Sequence, residues 1–163
     1  MLFRGKALYF LIIVAALYTA CRSESQKPEE KLQYYGNGEV SRRHYEVNGK
    51  KEGIMTDYYP DGKKRGERIF RNDLQSGRSV FYYPDGQIKE VQYFSEEGLK
   101  EGGDTVFYDT GGPQFLVTFK NGVKHGYVRK WSPEGELTYE ARYEMDTLVE
   151  VKGKLLDRHG TGS

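Results

Sequence analysis

From residue 32 onward, apolar and polar positions alternate in short runs rich in Tyr, Phe, Val and Thr. The runs are separated by dipeptides such as Asn37-Gly38, Asp61-Gly62, Asp85-Gly86 and Gly111-Gly112. Alternation of period two, bounded by residues that reach positive φ cheaply, predicts a series of β-hairpins. Asn48-Gly49, Glu97-Gly98 and Asn121-Gly122 mark the opposite turns. Pro60, Pro84 and Pro133 stand just before a turn, where a strand no longer needs the backbone donor that proline lacks. Two different textures come first: a continuous apolar run over residues 7–17, then residues 22–30, whose side chains cannot build a core.

The hairpins repeat in sequence. Gly53-Ile-Met-Thr-Asp-Tyr58-Tyr-Pro-Asp-Gly62 returns as Gly77-Arg-Ser-Val-Phe-Tyr82-Tyr-Pro-Asp-Gly86, and more loosely as Gly103 to Gly112 and Gly126 to Gly135. A truncated first copy ends at Tyr34-Tyr-Gly-Asn-Gly38. The block is nine residues from Gly to Gly in each full copy, while the return to the next block varies, so one half of the unit is fixed in length and the other tolerates insertion. Four residues before the turn glycine stand Tyr34, Tyr58, Tyr82, Tyr108 and Trp131; on the return strand stand Tyr45, Phe70, Phe94, Phe119 and Tyr143. Equivalent positions of stacked hairpins share a face, so both series are expected to form aromatic ladders that make up the core. The second Tyr of each doublet, Tyr35, Tyr59 and Tyr83, points opposite to the first series and is the candidate partner-facing surface.

The Gly-x₄-Tyr-Tyr-Pro-Asp-Gly block, followed by an aromatic residue, a turn and another Gly, resembles the variant MORN repeat of the bacterial YwqK-type family, over approximately residues 34–150. The resemblance implies an all-β fold, an elongated sheet of stacked antiparallel hairpins, and no catalytic residue. Glu144 to Val151 lacks a glycine turn, so the last copy is expected to be a distorted cap.

Arg4 and Lys6, the apolar run and the small-residue end before Cys21 have the architecture of a secretory signal, expected to be helical and too short to span a bilayer comfortably. Cys21, the one cysteine of the chain, resembles the acylated cysteine of a bacterial lipoprotein, although Tyr18 stands where the lipobox usually has Leu. An ordinary cleaved signal and an uncleaved anchor are the alternatives. The expected organisation is a signal peptide over 1–20, a lipidated Cys and flexible tether over 21–31, the repeat domain over 32–151 and a disordered tail over 152–163. Arg22 after the Cys suits delivery to an outer membrane, by similarity to lipoprotein sorting.

Composition narrows the function. The chain of 163 residues has room for about one domain, and its net charge of +1 gives no sequence-wide field for nucleic acid. With one Cys there is neither an internal disulfide nor a thiolate zinc cage. His44, His125 and His159 lack metal-ligand spacing and read as solvated surface residues, so no metal or cofactor is assigned. Asp61 and Asp85 occupy turn positions that favour Asp for backbone reasons. Lys63, Lys64, Arg65, Arg68 and Arg71 form a basic cluster diluted by Glu52, Asp57 and Glu67, expected to be a solvated face. The expected function is therefore non-catalytic: a lipid-anchored envelope protein whose sheet binds another envelope protein. Binding of peptidoglycan or another envelope polysaccharide through exposed aromatics is the alternative. An antitoxin-like role ranks lower, because export carries the chain away from a cytoplasmic toxin.

Overall fold

A computed structural model describes residues 27–152 and 154–155. The signal segment, Cys21, most of the tether and His159 lie outside the described residues. Among the described residues no helix is long and apolar enough to cross a membrane.

The strands are β1 (Glu29–Tyr34), β2 (Val40–Val47), β3 (Lys50–Lys51), β4 (Gly53–Tyr58), β5 (Lys64–Arg71), β6 (Leu74–Tyr82), β7 (Ile88–Phe94), β8 (Gly102–Phe107), β9 (Pro113–Lys120), β10 (Val123–Trp131), β11 (Leu137–Glu144), β12 (Thr147–Val151) and β13 (Lys154–Leu155). They form one open antiparallel sheet in chain order, with β3 pairing only β2. The all-β hairpin sheet expected from the repeats is what the chain adopts. Strand pairing begins at Glu29, opposite Glu46, so the last three residues of the expected tether belong to the sheet. At the other end Lys154 and Leu155 pair with Val151 and Glu150, so the sheet extends past the expected boundary at residue 151.

The turn glycines with positive φ are Gly38, Gly62, Gly86, Gly111 and Gly135. Each closes a loop in which the residue three before it bonds both ways: Tyr59 N to Lys63 O at 2.8 Å and Gly62 N to Tyr59 O at 2.9 Å are one instance. In the first three an Asp or Asn before the glycine tightens the loop, as when Asp61 Oδ1 accepts from Lys63 N at 3.1 Å and Asp85 Oδ1 from Gln87 N at 2.9 Å. The third full copy differs from its sequence alignment by one residue. Gly102 and Gly111, not Gly103 and Gly112, carry the positive φ values of 71° and 90°. Phe107 therefore takes the place of Tyr58 and Tyr82, and Tyr108 joins the series of Tyr35, Tyr59 and Tyr83. Glycine pairs at both ends of the block made either register compatible with the sequence.

The opposite turns are two-residue loops with positive φ at both positions: Asn48-Gly49, Asn72-Asp73, Asn121-Gly122 and Met145-Asp146. Only glycine-containing turns were expected, and the cap was expected to be distorted. Instead Asp146 repeats the role of Asp73: each accepts from a lysine N–H of the preceding hairpin, Lys124 at 2.8 Å and Lys51 at 2.9 Å. The exception on this edge is Glu97-Gly98, which lies in a longer loop bonded from Ser95 to Leu99 and holds the extra residue of its unit.

Among the described residues the sheet has no second layer, and a single layer cannot bury large rings completely. The core is a thin band of Met55, Phe70, Val80, Val91, Val128, Ala141 and Val149. Of the ten ladder aromatics expected to be core only Phe70 is buried; Tyr34 is 58% exposed, and Tyr45, Tyr58, Tyr82, Phe94, Tyr108, Phe119, Trp131 and Tyr143 are half-buried. Polar residues share the band, including His44, Asp57 and Ser79.

Candidate functional site

Two structural rows define the edges of the site. On the first, the phenolic hydroxyls of Tyr35, Tyr59, Tyr83 and Tyr108 donate to the backbone carbonyls of Tyr58, Tyr82, Phe107 and Trp131, at 2.6, 2.8, 2.7 and 2.8 Å. Each turn is thus tied to the outgoing strand of the next hairpin. The residues expected to face a partner, Tyr35, Tyr59 and Tyr83, are half-buried and their hydroxyls are committed inside the sheet, because the turn rotates them toward the following unit.

On the second row, Phe70, Phe94, Phe119 and Tyr143 lie opposite Gly53, Gly77, Gly102 and Gly126, all with positive φ. Lys51, Lys100 and Lys124 place their ammonium groups over Phe70, Phe119 and Tyr143 at 5.7, 5.0 and 5.1 Å from the ring centres. These lysines cover the rings on the open sheet, a function that the basic residues gave no sign of in the sequence.

Between the rows, the pairing shifts by one residue just before each of Tyr34, Tyr58, Tyr82, Phe107 and Trp131. The extra residue on the return strand is Ser41, Arg65, Lys89, Gln114 or Thr138, in successive units. A β-bulge bends its strand and re-aims side chains, and bulge residues line two grooves between neighbouring hairpins: Arg65 and Lys89 in one, Gln114 and Thr138 in the other.

The groove between the second and third hairpins encloses about 360 Å³ and is lined by Arg42, Asp57, Tyr59, Arg65, Arg68, Phe81, Tyr82, Lys89 and Glu90. Asp57 forms its floor and is only 3% exposed. It pairs directly with Arg42 across one strand boundary and with Gly66 across the other. Arg42 Nε donates to Asp57 Oδ1 at 2.6 Å, and Arg68 Nη2 donates to Oδ2. The carboxylate thereby holds two guanidinium groups in place, a charge-assisted arrangement that offsets its burial. Gly66 lets the Phe81 ring lie close over the backbone, since a Cβ there would be 2.7 Å from Phe81 Cδ1.

Around this floor, burial is the main influence raising the Tyr82 phenol, followed by the nearby Glu67 carboxylate, whose Oε2 accepts from its hydroxyl at 3.2 Å. Burial also raises the Glu90 carboxyl; Asp104 pushes the same way and a hydrogen bond from Gln92 opposes it.

The corresponding groove between the fourth and fifth hairpins, about 420 Å³, is lined by Tyr108, Gln114, Phe115, Lys130, Trp131 and Thr138. The same architecture thus carries charge in one half of the sheet and mainly aromatic and neutral polar groups in the other. The basic cluster is not simply a solvated face: Arg68 and Asp57 are drawn into the groove floor, whereas Lys63, Lys64 and Arg71 remain exposed. His44 is buried rather than solvated, with Nε2 3.0 Å from Glu46 Oε1, and His125 lies half-buried within β10 instead of in a turn. Among the described residues no group of three or more His, Cys, Asp or Glu is arranged to hold a metal ion.

The MORN repeat variant is matched at residues 51–72 and 75–96, the two hairpins that flank the charged groove. MORN repeats serve in general as protein- or membrane-interaction modules. No curated protein matches the chain. Among solved structures, a mutant of TarM from S. aureus, in complex with fondaparinux, alpha-GlcNAc-glycerol and UDP, is similar at 12% identity with a TM-score of 0.39, over 76% of this chain and 24% of that one. A crystal structure of TarM is similar at 14% identity and a TM-score of 0.37, over 74% and 25%. The chain spans about a quarter of the length of these structures.

Proposed function

We propose that this chain is a non-catalytic, lipid-anchored interaction module of the cell envelope. Cys21 carries the acyl chains, and the repeat sheet binds another envelope protein along the row of inter-hairpin grooves. The observation that carries the reading is the recurrence of one groove architecture at two places along the sheet, with different linings at equivalent positions. Repeats present extended surfaces on which a partner is read over several units. The sequence supports the anchor through the signal architecture and its single Cys. Each buried lipid CH₂ contributes about 0.8 kcal/mol, so several acyl chains hold a protein durably at a membrane without help from the sheet.

Labelling with a palmitate analogue tests the anchor: wild type is expected to be labelled and Cys21→Ser unlabelled. Affinity capture from envelope extracts, followed by mass spectrometry, tests the sheet, and the absence of any reproducible partner would remove the protein-binding reading. The groove containing Tyr108, Phe115 and Trp131 supports glycan binding as a second reading, because sugar rings stack on open aromatic faces. Retention on purified peptidoglycan or envelope polysaccharide, lost in Trp131→Ala, is the result that reading requires.

A further inference from the structure

Resting on the protein-interaction reading, we propose that the groove between the second and third hairpins receives a carboxylate side chain from an acidic segment of the partner polypeptide.

The geometry separates cations that are used within the fold from cations left over. Arg42 and Arg68 are occupied by Asp57. Arg65 and Lys89, at the bulge position of consecutive units, have no ion pair among the described residues; the Lys89 ammonium lies 5.6 Å from the centre of the Tyr83 ring. Both line the same groove. Deeper in it, Arg68 Nε is buried and has no hydrogen-bond partner, a donor left unsatisfied at a place where one normally finds an acceptor. Two unpaired cations at the rim and one unpaired donor below them make a site for a single oxyanion.

Arg42, Arg65, Arg68 and Lys89 outnumber Asp57 and Glu90 in the lining, so the groove keeps a positive balance that draws an oxyanion. Tyr59, Phe81 and Tyr82 supply apolar walls that suit the stem of a Glu side chain and an apolar neighbour. The equivalent bulge positions in the other groove are Gln114 and Thr138. That groove has Lys130 alone as a charged lining residue, its ammonium 5.7 Å from the centre of the Phe115 ring, and no cation at either bulge, so the acidic segment is expected to seat in one register only.

The test uses a fluorescein-labelled Gly-Glu-Phe-Glu-Gly peptide, its Gln-for-Glu counterpart, inorganic phosphate and anionic phospholipid vesicles, each against the mature chain. Saturable binding of the acidic peptide is expected. It should weaken about tenfold or more for the Gln peptide and for Arg65→Ser/Lys89→Ser, since charge-assisted contacts are lost in each. Arg65 and Lys89 are exposed at the rim, and unchanged melting of the double variant checks its fold. Gln114→Ala/Thr138→Ala should bind as wild type, and Arg65→Glu/Lys89→Glu should come to prefer Gly-Lys-Phe-Lys-Gly. Absence of saturable binding, equal binding of the Gln peptide, indifference to the rim substitutions, or displacement by phosphate or vesicles at the peptide's own concentration would overturn the proposal. If a captured envelope partner binds wild type and Arg65→Ser/Lys89→Ser alike, the groove assignment fails and the interaction reading stands. If wild type captures no partner, that reading itself fails.

Discussion

The hydroxyl of Tyr59 donates to the backbone carbonyl of Tyr82 at 2.8 Å, across 23 residues of chain, and so bonds the turn of one hairpin to the outgoing strand of the next. Tyr59→Phe removes this bond and keeps the ring. A loss of about 1 kcal/mol is expected, the ordinary net worth of one such bond. Tyr59→Ser also removes a half-buried ring and should cost about 2 to 3 kcal/mol. Urea denaturation of the two variants measures both. A fold indifferent to Tyr59→Ser would instead make the ring a free surface.

The register of the third full unit can be tested with two neighbouring glycines. Gly111 has φ of 90° and Gly112 does not lie in the left-handed region, while neither would bring a Cβ into a clash. Gly111→Ala should cost about 1 to 2 kcal/mol for holding an L-residue in that conformation, and Gly112→Ala should lie within about 0.5 kcal/mol of wild type. Thermal melting of the pair gives the answer, and the reverse order would restore the alignment suggested by sequence.

Gly66→Ala brings a Cβ to 2.7 Å from Phe81 Cδ1, so the ring must move into the groove. The expected cost is about 1 to 3 kcal/mol. Phe81→Leu in the same chain should recover part of it, and a double-mutant cycle reads the coupling directly. Additive effects of the two substitutions would contradict the contact.

Glu90 provides a pH-dependent check. Burial is the main reason its carboxyl lies above the ordinary 4.5, with Asp104 adding repulsion and the Gln92 bond opposing. The folded chain therefore holds this proton more tightly than the unfolded chain. Its stabilising contribution is full below the ordinary value and is lost as pH rises through the raised one. Glu90→Gln should be more stable than wild type near about pH 7, and the difference should vanish by about pH 4. Denaturation midpoints across that range are the measurement.

The hairpins and one row of turns were legible because Gly38, Gly62 and Gly86 follow Asn or Asp at a repeated spacing, and alternating Tyr, Phe, Val and Thr leave few other folds. Two things were hidden. Turns at Asn72-Asp73 and Met145-Asp146 use non-glycine residues at positive φ, which local composition signals weakly. The bulges at Arg65, Lys89 and their equivalents change which side chains converge, and simple alternation has no term for an extra residue. Asp57 and Arg68 consequently looked like members of a diluted charged surface. Pairing brings them together, eleven residues apart, beneath a groove that neither segment forms alone.

The four bonds from tyrosine hydroxyls to backbone carbonyls all run one way. Every donor belongs to a turn and every acceptor to the following hairpin, and at the corresponding final position Ser132 has no phenol to offer. No tyrosine hydroxyl among the described residues reaches the Tyr34 carbonyl at the other end. The array is consequently polar: a unit grafted ahead of β1 would meet an acceptor ready for its tyrosine, while one grafted after the last hairpin would arrive without a latch. Lengthening such a protein is easier from its beginning than from its end.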